Sequence, residues 1–196
     1  LATSDASSAV APPATKKKKN KTLRTVLELV VLVLAILLAF LIHKFVYEVA
    51  LVTSGSMIPT LQIQDRVLID HRESLHNNWK RGDIVTFDSP ESWGEQEVLI
   101  KRVIGLPGEI IEINDGKVYI NGKILDEPYI NNDSEPVGEI KKTVIPDSQY
   151  FVIGDNRNHS QDSRDLGGVE DKYIRGRAVL HIAPISKFGK VKVPRY

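Results

Sequence analysis

The pattern of apolar and polar positions changes character along the chain. From Val26 to Ile42, seventeen residues run apolar with Glu28 as the one interruption, and the apolar character resumes at Phe45-Val46-Tyr47 after His43-Lys44. A helix packed on a soluble core carries a polar stripe, and this run has none. Its length lies at the lower edge for a bilayer, so residues 25–45 are predicted to form one transmembrane helix. Glu28 sits near the start of the run, where a long side chain reaches the headgroup region. Residues 1–15 are rich in Ala, Ser, Thr and Pro without a period, and Lys16–Arg24 is basic. Residues 1–24 are therefore expected to form a disordered basic tail.

Beyond residue 46 the period shortens. Val67–Asp70, Asp83–Phe87, Val98–Ile104, Tyr150–Ile153 and Ala178–Ile182 are short runs rich in Val and Ile, predicted as strands. The clearest stretch is 110–125, where Asp115-Gly116 and Asn121-Gly122 separate alternating segments. Such dipeptides favour two-residue type I′ turns, so a hairpin meander is expected there. Residues 126–143 are polar with Pro128 and Pro136 and read as a loop. No long amphipathic helix and no repeat follows residue 50. The predicted fold is mainly β: antiparallel sheets with a hairpin meander subregion over 46–196, preceded by the one transmembrane helix.

Composition narrows the function classes. Residues 1–24 carry six Lys or Arg against Asp5 alone, a net +5 that leaves −4 for the rest of a chain whose total is +1. Nucleic-acid binding would spread basic residues over the folded part, so it is not indicated. Lys and Arg are retained on the cytoplasmic side, which predicts a cytoplasmic N-terminus and an extracytoplasmic domain in a single-pass protein of the cell membrane or another bacterial-type membrane. A cleaved signal peptide is the rival reading of the apolar run. The run is long for that, and Ala50 has Glu48 where a small residue should stand. There is no cysteine, hence no disulfide and no thiolate metal site. The five histidines (His43, His71, His76, His159 and His181) are scattered, with His71 and His76 read as solvated surface residues. There is no G-x-S-x-G, no H-E-x-x-H and no phosphate loop. No metal and no cofactor are implied, and no obligate protein partner is evident.

Three segments hold candidate chemistry. Thr53-Ser54-Gly55-Ser56-Met57-Ile58-Pro59-Thr60-Leu61 is too rich in small residues, Gly and Pro for a helix or central strand. It is expected to be a turn holding a hydroxyl. In Leu99-Ile100-Lys101-Arg102-Val103-Ile104, alternation places Lys101 with Leu99 and Val103 on one face and Arg102 with Ile100 and Ile104 on the other. One of the two cations is then expected on the more buried face. For Lys101 to act as a base near neutrality, burial must lower its pKa by roughly 2–3 from about 10.4. Gly154-Asp155-Asn156-Arg157-Asn158-His159-Ser160-Gln161-Asp162-Ser163-Arg164 is a polar loop whose acids and arginines can pair. Alone, these read as a polar linker, an edge lysine and a solvated turn.

Together, in order and spacing, they resemble the sequence boxes of type I signal peptidases. Ser54-Gly55-Ser56-Met57-x-Pro59-Thr60-Leu61 is similar to the nucleophile box. Arg81-Gly82-Asp83-Ile84-Val85-x-Phe87 and Lys101–Gly108 are similar to the next two boxes, and Gly154–Arg164 to the last. The single span and compact body resemble the short bacterial form. The resemblance implies a membrane-bound, Ser–Lys serine endopeptidase that removes signal peptides from exported precursors after small-x-small motifs. Ser56 would be the nucleophile and Lys101 the general base. Ser54 would serve the oxyanion hole, and Ser160 would orient the lysine. Asp155, Arg102, Asp162 and Arg164 would brace the site. Met57, Leu99 and Ile100 are candidates for the wall of the substrate pockets. Partners are then precursor proteins and the lipid bilayer. Gln64 departs from a common glycine and Glu109 from a common aspartate, which bears on local backbone shape. Two rivals are a self-cleaving repressor-type Ser–Lys enzyme, which needs an N-terminal DNA-binding domain, and an inactive membrane-tethered β module, which predicts loss of Ser56 or Lys101.

Overall fold

The computed structural model describes residues 17–75, 78–94, 97–130, 138–194 and 196. Residues 1–16, the bulk of the expected tail, and 131–137, within the expected loop, lie outside the described residues. The chain divides into two units that meet between Ile42 and His43.

The first unit is built on helix α1, Lys17–Phe45. The helix therefore starts ahead of the apolar run, and Lys17–Arg24 belong to it. Within it, Lys21–Leu41 is long and apolar enough to cross a membrane, with a mean hydropathy of 2.5. At the helical rise this span covers about 30 Å, the thickness of a hydrocarbon core. Its large apolar side chains are exposed, from Leu23 at 70% to Leu41 at 41%. Such a surface needs an apolar solvent. Glu28 pairs with Arg24 one turn earlier, at 3.2 Å, so its charge is met inside the helix.

The second unit is a β body. Its strands are β1 (Tyr47–Leu51), β2 (Arg66–Asp70), β3 (Ile84–Asp88), β4 (Val98–Gly105), β5 (Ile110–Asn114), β6 (Lys117–Ile120), β7 (Lys123–Ile124), β8 (Ile140–Val144), β9 (Gln149–Ile153), β10 (Val169–Glu170), β11 (Ile174–Ala183) and β12 (Gly189–Lys190). A one-turn helix, α2 (Ser163–Leu166), lies between β9 and β10. All pairings are antiparallel. The large sheet runs β1-β2-β11-β3-β4-β9-β10, with β12 on β11, and the small sheet runs β7-β6-β5-β8. Both expected turns form: Asp115-Gly116 and Asn121-Gly122 have φ of 50°, 70°, 52° and 78°, the doubly positive pattern of type I′.

Three differences from the sequence expectation have physical causes. β1 was hidden because its apolar residues continue the membrane run. β8, within the expected loop 126–143, is an edge strand whose residues are largely exposed, so its Ile-Lys-Lys-Thr-Val lacks a buried face to mark it. The first half of β11 carries Arg175 and Arg177, which mask the start of a strand of ten residues whose 178–182 part was expected.

The large sheet is covered on both faces. Val85, Phe87, Val103 and Val152 lie in one apolar cluster, and Ile104, Phe151 and Ile153 in another that includes the small sheet's Ile111, Val118 and Ile120. A third cluster gathers Val52, Met57 and Leu61 against Val67 and Ile69 of β2. Two-sided burial explains why β4 reads as a near-continuous apolar run. It also means that the more buried face expected for one of its cations is matched by an almost equally buried face for the other. Lys101 is 3% exposed and Arg102 is 0% exposed.

Candidate active site

The segment from Thr53 to Leu61 is an irregular turn, as its Gly, Pro and hydroxyl residues dictate. Met57 and Leu61 pin it to the core, which leaves Ser56 at the surface of the body but only 5% exposed. β4 brings Lys101 beneath it, and Lys101 Nζ and Ser56 Oγ are hydrogen-bonded at 2.9 Å. Burial holds the lysine's pKa below its ordinary value. The charges of Asp162 and Glu97 oppose that shift, and Arg164 adds to it. An amine whose charged form is disfavoured, placed beside a hydroxyl, has the geometry of a base and the nucleophile it activates. Ser54 Oγ lies 3.2 Å from Ser56 Oγ, and the Ser56 N–H has no partner among the described residues. Both are donors available to a developing oxyanion.

The loop after β9 locks this turn in place. The N–H of Asn156 donates to Ser56 O at 3.0 Å, and its side-chain amide donates to Gly55 O at 2.9 Å. Asn156 was not singled out from the sequence, although it lies inside the polar loop. Gly154 fits where no side chain can. A Cβ there would meet Ser160 Oγ at 2.2 Å and Ser56 O at 2.6 Å. Gly154→Ala is therefore expected to push the nucleophile turn out of register. The expected result is a fall in kcat/KM of about a hundredfold, with folding retained by circular dichroism. Unchanged kcat/KM would show that the contact is not what positions Ser56.

Asp162 organises the other side. Its carboxylate accepts from the Gly154 N–H at 2.9 Å, from Ser160 Oγ at 2.7 Å and from Arg164 Nε at 2.8 Å. It also caps α2 through the Arg164 N–H. The resemblance implies that Ser160 orients the lysine. Its hydroxyl donates to Asp162, whose charge acts on Lys101.

Arg102 and Asp155 form a wholly buried ion pair, with Nε–Oδ1 at 2.8 Å and Nη2–Oδ2 at 2.6 Å. The guanidinium also donates to Gly82 O at 2.8 Å and stacks over the Tyr129 ring at 3.9 Å. Thr60, four residues past the nucleophile, donates its hydroxyl to Asp155. Tyr129 was not legible as a site residue, since it has no distinguishing neighbour in sequence, and Thr60 lies in the nucleophile segment without anything there to mark its contact with Asp155. The two departures from the box pattern are absorbed locally. Gln64 adopts φ +74°, the conformation a glycine would take there. Glu109 closes its turn by accepting from the Leu106 N–H at 2.8 Å and pairing with Arg81 at 2.5 Å.

Ser56 and Lys101 open into a groove of about 660 Å³ whose lining includes Ser54, Leu99, Ile100 and Leu51. Leu99 and Ile100 thus lie where a pocket wall was expected. Met57 does not: it is fully buried in the core cluster and is not part of the groove lining.

Comparison with known proteins agrees with this geometry. Residues 24–183 match the family model of signal peptidase, peptidase S26. A probable signal peptidase I-2 of Synechocystis sp. is 41% identical over 89% of this chain and 81% of its own. Signal peptidase I of Leptolyngbya laminosa is 39% identical over 82% of this chain and 81% of its own. Signal peptidase I T of Bacillus subtilis is 35% identical over 91% of this chain and 96% of its own. The site belongs to a serine protease, and the chain is a member of the signal peptidase I family.

Proposed function

We propose that this protein cleaves signal peptides from exported precursors through an acyl-enzyme formed on Ser56, with Lys101 as general base. The observation that carries the reading is the 2.9 Å contact between Ser56 Oγ and a lysine buried by aliphatic neighbours. In this scheme the neutral amine takes the Ser56 proton as Oγ attacks the scissile carbonyl. Ser54 Oγ and the Ser56 N–H receive the oxyanion. The lysine, now an ammonium, gives its proton to the leaving amine. It then takes a proton from water, which hydrolyses the ester and restores Ser56. Asp162, Arg164, Asp155 and Arg102 hold the turn that carries Ser56 and the strand that carries Lys101, and Ser160 is a positioning residue acting through Asp162.

The pairing of β4 supports an extended substrate. β9 pairs with β4 only from Arg102 onward, while β3 pairs with it from Val98. Residues 98–101 therefore keep a free ladder edge beside the groove. A peptide strand added there would bring its main chain past Lys101 and its side chains toward Leu99 and Ile100. Small side chains at alternate positions suit such a wall, in line with cleavage after small-x-small motifs. A basic segment ahead of the span assigns the N-terminus to the cytoplasm and the β body to the far side.

The test is cleavage of a purified precursor by detergent-solubilised protein, with the new N-terminus sequenced. A cut after a small-x-small motif is expected. The same assay over pH should show kcat/KM rising with pH until Lys101 is neutral and then levelling, because the protonated amine cannot accept the serine proton. A rate independent of pH between about 5 and 9 would remove Lys101 as the base.

A further inference from the structure

A second cavity, of about 770 Å³, opens on the other side of the nucleophile turn, and its lining includes Thr60, Tyr129, His181, Lys187, Lys190 and Lys192. Three of these are lysines, and among the described residues no carboxylate lines the cavity. Lys187 is neutralised by the buried Asp65, which it meets at 3.0 and 3.1 Å. Lys190 and Lys192 flank the buried Val191, so alternation turns both to the same side. Neither makes an ion pair among the described residues. His181 is 8% exposed, and its Nδ1, which has no hydrogen-bond partner among the described residues, lies 4.0 Å from the Asp65 carboxylate. The remaining wall is apolar, with Pro59, Pro128 and Val193.

Uncompensated cations in a concave, partly apolar site attract an anion, and flexible lysines bind phosphate as point charges. The cavity also touches the bracing of the catalytic turn. Thr60 donates to Asp155, and Tyr129 lies under the Arg102 guanidinium. We propose that this cavity is a phosphate-group subsite, for a phosphate ester or free phosphate, whose occupancy steadies the Pro59–Thr60 end of the nucleophile turn. The binding half stands on the cavity alone; the effect on turnover rests on the Ser56–Lys101 reading.

The test uses the full chain in neutral-detergent micelles. Phosphatidylglycerol, net-neutral phosphatidylcholine and inorganic phosphate are added separately to wild type and to the Lys190→Gln/Lys192→Gln variant. The readouts are the thermal midpoint and precursor cleavage. A ligand that binds only the folded state raises the midpoint with concentration. The expected result is a midpoint rise and a severalfold gain in cleavage with phosphatidylglycerol, both lost in the variant, whose cleavage without added probe matches wild type. The same pattern with inorganic phosphate supports the site with a soluble source; phosphatidylglycerol acting alone identifies the lipid headgroup. No shift with either anionic probe, an equal shift from phosphatidylcholine, or an undiminished shift in the variant overturns the proposal. Cleavage by wild type without any probe separately tests the catalytic reading, and a midpoint shift in protein that cleaves nothing would still support the subsite.

Discussion

Lys101→Met is expected to lower kcat/KM by at least about a thousandfold, the upper range for loss of a general base, while making the protein more stable. The first half follows from geometry: methionine fills the space but cannot take the proton of Ser56 Oγ. Ser56→Ala should be at least as damaging, and the double variant no worse than the worse single, because the two act as one unit. The second half follows from burial. Desolvation lowers the folded-state pKa of Lys101 below that of the unfolded chain. Between the two values the unfolded state binds more protons, so the lysine's cost to folding is largest below the folded value and vanishes above about 10.4. The stability advantage of Lys101→Met should therefore be greatest at low pH and shrink as pH rises toward that limit. Denaturant titrations across pH measure it. A variant less stable than wild type at neutral pH would contradict a desolvated amine, and near-normal cleavage would contradict its role as base. Such a gain in stability on removing a functional group is the usual sign of a site built against the preferences of the fold.

Much of this site was legible in the sequence, for reasons that vary from residue to residue. Gly55 and Pro59 marked an irregular turn around Ser56, and aliphatic neighbours marked Lys101 as a cation in a strand, but it was the resemblance of the four segments to the family's boxes that implied their roles. The hairpins at Asp115-Gly116 and Asn121-Gly122 were legible because their turn type demands positive φ at both positions. What was not legible depends on a second layer of packing. Strand alternation assigns Lys101 and Arg102 to opposite faces, but nothing local says that both faces are covered. Met57 lies next to the nucleophile in sequence, yet the turn sends its side chain into the core. Nothing local says that the Ser160 hydroxyl is held by Asp162, two residues on. Tyr129 joins the support through Arg102, 27 residues away, and Thr60 joins it through Arg102 and Asp155, 42 and 95 residues away.

That support should be the most sensitive point of the fold. Asp155→Ala is expected to cost about 3–5 kcal/mol, because it leaves the guanidinium of Arg102 buried and unpaired. For a body of this size that corresponds to a midpoint lower by roughly 6–20 °C. Arg102 is 0% exposed, so neither water nor a rotamer change can relieve the charge without opening the sheet. The Arg102→Met/Asp155→Leu double variant removes both charges and keeps most of the volume, so it should be more stable than Asp155→Ala alone despite two substitutions. It still leaves Gly82 O without its donor, at about 1–3 kcal/mol, so it should not regain wild-type stability. Both variants also free Thr60 from Asp155, and with it the end of the turn that carries Ser56. kcat/KM measured well below either midpoint should fall too, which separates loss of positioning from loss of folded protein. A midpoint for Asp155→Ala within about 2 °C of wild type would mean that Arg102 finds another partner, and that the buried pair is not what joins the core of the sheet to its catalytic turn.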